Sequence, residues 1–290
     1  MNVITIPAYN EEKSIGKVID DIRKVMHSKK YKIIVVDDGS TDNTAKIANE
    51  HGAVVFSHQR NRGLAETFKT EMKECLKLNP KIIVHTDADG QYLAEEIQRL
   101  ISKVEEGYDL VLGSRFKGKI ESMPLIKRIG NKLFSRTISW IAKLKIEDAQ
   151  TGFRAFTKEV AENVNIISNY TYTHEQIIKA AKQNFKIIEV PVYFAKRDGK
   201  SKLMKNPFHY AVRAWINLFR VFRDYEPLKF FVTLGLIPFS LGLITGLYIL
   251  YNFLTYGAIR HIPLTLLSIL LIMMGIQIIL FGFLADTQRK

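Results

Sequence analysis

The chain is predicted to be an α/β domain built on a parallel sheet, followed by membrane-associated helices. Three observations predict this. Short β-branched runs alternate with amphipathic stretches through the first half. Residues 230–254 and 262–285 contain no Asp, Glu, Lys or Arg. Basic residues crowd just ahead of the first of these runs.

The alternation comes first. Val3–Ile6, Lys32–Val36, Ala53–Phe56, Ile82–His85 and Leu110–Leu112 read as strands. Ser14–Met26, Asn43–Glu50, Leu64–Leu78 and Ala94–Glu106 read as helices between them. Strand–helix alternation implies a parallel sheet with helices on both faces. Ligands of such sheets bind beyond the C-terminal strand ends. Farther on, Pro124–Leu144 and Thr173–Gln183 read as helices, Lys186–Val192 as a strand, and Asp148–Arg154 as a polar turn.

Each charge-free run exceeds the roughly 20 helical residues that span a bilayer core. Joined by a short link at Tyr256–His261, they form a hairpin. The chain carries 42 Lys and Arg against 29 Asp and Glu, a net of +13. Residues 196–229 alone hold nine basic and three acidic residues. Basic residues flanking a span attract anionic headgroups and mark the cytoplasmic side. This placement argues for a membrane partner and against nucleic acid. Asn206–Asp224 interleaves Phe208, Trp215, Phe219 and Phe222 with Arg213, Arg220 and Arg223, the composition of an interfacial helix. The expected organisation is residues 1–203 as catalytic domain, 204–228 as amphipathic juxtamembrane helix, and 229–290 as transmembrane hairpin with a short cytoplasmic tail. Self-association is compatible with so small a membrane surface, and the sequence does not demand it.

Cys75 is the sole cysteine, so no intrachain disulfide forms. It is expected as a buried apolar residue on a helix. The opening residues read as a strand, so no signal peptide is expected.

Three motifs follow strands. Thr86-Asp87-Ala88-Asp89-Gly90-Gln91 places two carboxylates one residue apart at a strand end. Such a pair can hold a hard cation, Mg²⁺ or Mn²⁺, that also bridges phosphates. Val35-Val36-Asp37-Asp38-Gly39-Ser40-Thr41-Asp42 places acids at a second strand end, where Asp38 suits a nucleoside and Asp42 a helix N-cap. Ile6-Pro7-Ala8-Tyr9-Asn10-Glu11-Glu12 is the third.

Together these residues resemble the family 2 glycosyltransferases of GT-A fold. The resemblance implies nucleoside and donor contacts for Pro7, Tyr9, Glu11 and Asp38. It implies metal and diphosphate contacts for Asp87, Asp89 and Gln91. Downstream, Gly113-Ser114-Arg115-Phe116, Gln150-Thr151-Gly152-Phe153-Arg154 and Gly199-Lys200-Ser201-Lys202 follow in order. That order looks like the dolichyl- and polyprenyl-phosphate sugar transferases. The match runs over residues 2–225. A Gln-x-x-Arg-Trp element of processive polysaccharide synthases does not occur.

The resemblance implies inverting transfer of one hexose, mannose or glucose, from GDP-mannose or UDP-glucose to a lipid phosphate at the cytoplasmic membrane face. An acceptor phosphate is largely ionised near neutral pH, its second pKa being about 6, so no strong base is needed. The site must instead hold two anions together. Arg115, Arg128, Arg197 and Lys202 are candidates for the acceptor phosphate. Asp89 is the first catalytic candidate, joined by Asp148 and Glu175. Either of the latter could orient the acceptor, or serve as a helix cap or a partner for Arg154. His174 is expected to be structural. Two alternatives stay open: another membrane acceptor such as a glycolipid or saccharide, and a non-catalytic nucleotide-sugar-binding scaffold.

Overall fold

The computed structural model describes residues 1–27, 30–167, 172–196, 216, 219–258 and 262–288. The chain divides into two units, Met1–Ala211 and Val212–Lys290. Arg197, Lys202, the rest of the basic loop after Lys196, and most of the expected juxtamembrane helix lie outside the described residues.

In the first unit the strands are β1 (Asn2–Ala8), β2 (Tyr31–Asp37), β3 (Val54–Ser57), β4 (Ile82–His85), β5 (Leu110–Ser114), β6 (Arg154–Thr157) and β7 (Ile187–Pro191). They form one sheet in the order β3-β2-β1-β4-β6-β5-β7. The predicted strands are all present. The expectation of a wholly parallel sheet needs correction, because β6 runs antiparallel to both β4 and β5. The sheet is therefore mixed. The segment expected as a polar turn is also buried: Asp148, Ala149, Thr151, Phe153 and Arg154 have no exposed surface. Arg154 opens β6, and its polar neighbours are buried because they are paired.

The helices are α1 (Ile15–Met26), α2 (Thr44–Glu50), α3 (Leu64–Leu76), α4 (Glu96–Glu105), α5 (Leu125–Ala142), α6 (Lys158–Asn163) and α7 (Thr173–Lys182). α1 buries Ile15, Ile19, Ile22 and Met26, the one-sided stripe of an amphipathic helix. Each such side chain contributes roughly 1.5–3 kcal/mol when fully buried. With α4 residues Ile97, Leu100, Ile101 and Val104, the stripe packs on Ile4, Ile6, Ile33, Val35, Ile82 and Val84. The opposite face of the sheet meets α3, where Phe68 contacts the rings of His85 and Phe156. Helices on both faces explain why β1, β2, β4 and β5 read as continuous apolar runs. Cys75 is buried on α3 as expected, and burial pushes its thiol pKa up.

The second unit contains two long helices, α8 (Pro227–Tyr256) and α9 (Ile262–Thr287), both long and apolar enough to cross a membrane. They pack through small residues. A Cβ on Gly235 would meet the Gly275 carbonyl at 2.8 Å, and Ser268 Oγ donates to the Gly242 carbonyl at 2.7 Å. Small interfacial residues allow such close backbone approach. Their outward faces carry exposed Leu241, Leu247, Leu254, Leu270 and Phe281.

Candidate active site

Parallel pairing brings the three predicted motifs to one edge of the sheet. Ala8 pairs with Asp37 and Thr5 with His85, so the segments after β2, β1 and β4 lie side by side. Backbone bonds extend this register: Asp38 N–H donates to Ala8 at 2.8 Å, and Thr86 N–H to Thr5 at 3.0 Å.

The first two motifs are tied together. Asn10, at φ 53°, donates its N–H to Ser40 Oγ and accepts from Thr41 N–H, both at 2.8 Å. Glu11 N–H donates to Thr44 Oγ1 at 2.8 Å. Asp42 sits one residue before the observed N-cap Asn43, so the N-cap expectation shifts by one; its Oδ1 still accepts from Thr44 N–H at 3.0 Å. Tyr9 is exposed, while Pro7 and Glu11 are half-buried.

Asp38 is buried and its carboxylate serves a loop that sequence reasoning missed. One oxygen faces His58 Nδ1 at 2.7 Å and accepts from Arg62 N–H at 2.8 Å. The other accepts from Gly63 N–H at 2.8 Å. No motif marks this loop, which lies some 20 residues downstream. Gly39 belongs to the same corner. Its φ is +72°, and a Cβ there would come within 2.5 Å of Arg60 backbone carbon.

Asp87 behaves differently. It is half-buried and receives no hydrogen bond or ion pair from any described residue. Gly152 packs directly against it: a Cβ at that position would lie 2.7 Å from Asp87 Oδ1. Asp89 is also half-buried and accepts from Gln91 N–H at 3.1 Å. It lines a cleft of about 670 Å³ together with Glu11, Gly90, Tyr92 and Lys196. Among the described residues no group of three or more His, Cys, Asp or Glu is placed to hold a metal ion. Two carboxylates without further protein ligands fit Mg²⁺ or Mn²⁺, which bind through one or two carboxylates plus substrate phosphates and water.

Gln91 anchors the next segment. Its Nε2 donates to the Ala195 carbonyl at 3.0 Å, and Ala195 N–H donates to the Gln91 carbonyl at 2.9 Å. Lys196 is thereby held beside the Asp-x-Asp loop.

Arg115 and Asp148 form a buried bidentate pair. Nε and Nη2 each donate at 2.7 Å, and Arg115 N–H adds a third bond at 3.0 Å. Burial opposes the charge on Arg115; Tyr92 and Asp148 outweigh it, and the pKa is raised. Glu189 on β7 supports the pair by accepting from the N–H groups of Glu147 and Asp148 at 3.0 and 2.8 Å. Of the alternatives for Asp148 and Glu175, a partnership with Arg154 holds for Asp148 only as a nearby charge, without a hydrogen bond. Arg154 instead binds the carbonyls of Ala149, Thr151 and Thr173 and the Gln176 side chain, and burial lowers its pKa. Glu175 is buried, accepts from Ile167 N–H at 2.8 Å and pairs with Lys179 at 2.7 Å. His174 packs edge-on against Phe134. Arg128 is exposed on α5.

A second buried pair lies beneath Asp87. His85 Nε2 is 3.1 Å from Glu71 Oε2, and neither side chain is exposed. Burial alone lowers the His85 pKa; Glu71, Asp87 and the Gly152 carbonyl outweigh it and raise the value.

Comparison with known proteins agrees with this geometry. The family model for glycosyl transferase family 2 matches residues 3–164, and the model for a GtrB C-terminal hairpin matches residues 226–287. A dolichyl-phosphate hexose transferase of Haloferax volcanii is 31% identical over 205 residues, 71% of this chain and 86% of that protein. A UDP-N-acetylglucosamine–dolichyl-phosphate N-acetylglucosaminyltransferase of Methanococcus voltae is 31% identical over 212 residues, 65% of this chain and 83% of that protein. The Mycobacterium tuberculosis glucosyl-3-phosphoglycerate synthase, solved with Mn²⁺, UDP and phosphoglyceric acid, superposes with a TM-score of 0.58 at 18% identity. That superposition covers 75% of this chain and 78% of the synthase, and shows a shared GT-A-like mixed-sheet fold. The motif order, the sheet that brings the motifs together and the family match converge: this chain belongs to glycosyl transferase family 2.

Proposed function

We propose that the protein transfers a single hexose, mannose or glucose, from GDP-mannose or UDP-glucose to dolichyl or polyprenyl phosphate, at the cytoplasmic face of a membrane. The observation that carries this reading is Asp87. A half-buried carboxylate at a strand end that receives no hydrogen bond or ion pair from a described residue, two positions before the cleft-lining Asp89, is suited to an external cation. Asp87 and Asp89 would hold Mg²⁺ or Mn²⁺, which would neutralise charge developing on the diphosphate leaving group. Pro7, Tyr9, Glu11 and Asp38 are proposed for the nucleoside side, Asp38 while also holding the loop at Arg62 and Gly63.

The acceptor oxygen is already ionised, so the chain supplies orientation and positive charge rather than a base. Lys196 lines the cleft. Arg128, Arg197 and Lys202 are proposed for the acceptor phosphate. Direct displacement inverts the anomeric centre. Asp148 is proposed to act through Arg115, and Glu175 by fixing the start of α7.

A membrane acceptor also fits α5. Its exposed Leu125, Ile126, Ile129 and Trp140 alternate with exposed Arg128, Lys132 and Arg136. Apolar and basic residues together suit a headgroup interface. The related transferases are both named for dolichyl phosphate, one with a hexose and one with N-acetylglucosamine.

The test is radiolabel transfer with purified full-length protein in detergent. GDP-mannose, UDP-glucose and UDP-N-acetylglucosamine are offered separately with dolichyl phosphate and Mg²⁺ or Mn²⁺. Mannose or glucose label in the organic phase, dependent on lipid phosphate, is expected. Label only from UDP-N-acetylglucosamine corrects the sugar. Label without lipid phosphate, on an endogenous glycolipid, overturns the acceptor.

A further inference from the structure

Behind the strand that leads to Asp87 lies a buried carboxylate that the transfer reaction does not use. Glu71 falls on the inward stripe of α3 with Phe68 and Cys75 and has no exposed surface. An ionised carboxylate in such a place is costly unless it is compensated. Its ion-pair partner is the His85 ring, with 3.1 Å between Nε2 and Oε2. The other ring nitrogen, Nδ1, lies 2.9 Å from the Gly152 carbonyl oxygen. The ring is thus seated between the two, with Nε2 toward the carboxylate and Nδ1 toward the carbonyl. The Tyr172 hydroxyl closes the group, 3.1 Å from His85 Nδ1 and 3.5 Å from the same carbonyl.

Gly152 is also the residue whose Cα closes on Asp87, leaving no room for a Cβ. The contacts thus run in one line: Glu71 orients His85, His85 holds the Gly152 peptide, and Gly152 walls the Asp87 carboxylate. We propose that Glu71 and His85 are positioning residues for Asp87, fixing the slot in which that carboxylate meets the divalent cation and the donor diphosphate. The inference rests on the metal-assisted reading above. Partners that orient a metal ligand typically contribute about 10–100-fold to metal affinity.

The test uses full-length protein in detergent micelles and Mn²⁺ with UDP or GDP as probe. The Mn²⁺ dissociation constant is read from the EPR signal of the free ion, without turnover. Three variants separate the roles. His85→Asn places an amide nitrogen near Nδ1 and keeps the bond to Gly152. His85→Gln places it near Nε2 and loses that bond. Glu71→Leu removes the orienting carboxylate. Expected is Mn²⁺ affinity within about threefold of wild type for His85→Asn, and weaker by about tenfold or more for His85→Gln. Glu71→Leu falls between them, and the KM for lipid phosphate does not change in any of the three.

Equal affinities for the Asn and Gln variants overturn the proposal. So does a loss that tracks melting temperature alone, or wild-type protein that binds no Mn²⁺. Should His85→Gln not fold, wild-type affinity in folded Glu71→Leu overturns it instead. Wild-type protein that binds Mn²⁺ and nucleotide yet labels no lipid phosphate removes the transferase reading and leaves the positioning result standing.

Discussion

The Gly152 Cα stands so close to Asp87 that any side chain there would reach within 2.7 Å of Oδ1. Gly152 does not have a positive φ, so its backbone tolerates alanine. The cost of Gly152→Ala is steric. Overpacking of this kind costs about 1–3 kcal/mol. The expected outcome is a transfer rate lowered by at least about tenfold, with a melting temperature lowered by only a few degrees. Wild-type rates in the alanine variant would show that the Asp87 slot is not held this tightly.

Asp87 and Asp38 make opposite demands on the fold. Asp87 receives no hydrogen bond or ion pair from a described residue, so Asp87→Asn should leave the melting temperature near wild type and abolish transfer. Asp38 is buried and accepts from two backbone N–H groups besides facing His58. Hydrogen bonds to charged groups contribute about 1.5–3 kcal/mol each, so Asp38→Ala should lose roughly 3 kcal/mol or more. Thermal melts beside radiolabel assays separate the two. A large melting shift in Asp87→Asn would contradict the assignment.

Breaking the Arg115–Asp148 pair leaves a buried charge. Removing one partner of such a pair costs about 3–5 kcal/mol. Asp148→Leu is therefore expected to destabilise the protein strongly, and the double variant Arg115→Met with Asp148→Leu to recover much of the loss while remaining inactive. Urea denaturation of the catalytic unit within the full-length protein reads this out. Additive losses would mean the two side chains do not act as a pair.

Arg128 is exposed, so Arg128→Ala should leave stability within about 0.5 kcal/mol. Together with Lys202→Ala, it is expected to raise the KM for lipid phosphate severalfold and that for nucleotide-sugar little. Equal changes in both constants would remove these residues from the acceptor site.

The fold was readable where burial and periodicity coincide. Ile82–His85 was predicted with its observed ends, and the stripe of α1 follows from its apolar spacing. β6 escaped because it is four residues long and preceded by a polar stretch. Asp148 and Arg154 look solvated in sequence. What buries Asp148 is Arg115, 33 residues away, and no local pattern records that pairing. The His58–Gly63 loop was missed for the same reason. Glu71 was legible in principle. It falls three residues after Phe68 and four before Cys75, on the inward stripe of α3, where an acid needs a buried partner. The three strand-end motifs were legible because a parallel sheet collects such ends at one edge, whereas which of their acids face a ligand depends on neighbours such as Gly63 and Gly152.

The most direct measurement is lipid-phase radiolabel transfer by wild-type protein and by Asp89→Ala, side by side, with and without chelation of Mg²⁺ and Mn²⁺. Label from one nucleotide-sugar is expected in wild type, lost on chelation and restored by metal. None is expected from a folded, membrane-bound Asp89→Ala variant under either condition. Full activity in Asp89→Ala, or wild-type transfer that survives chelation, would contradict the metal-assisted reading.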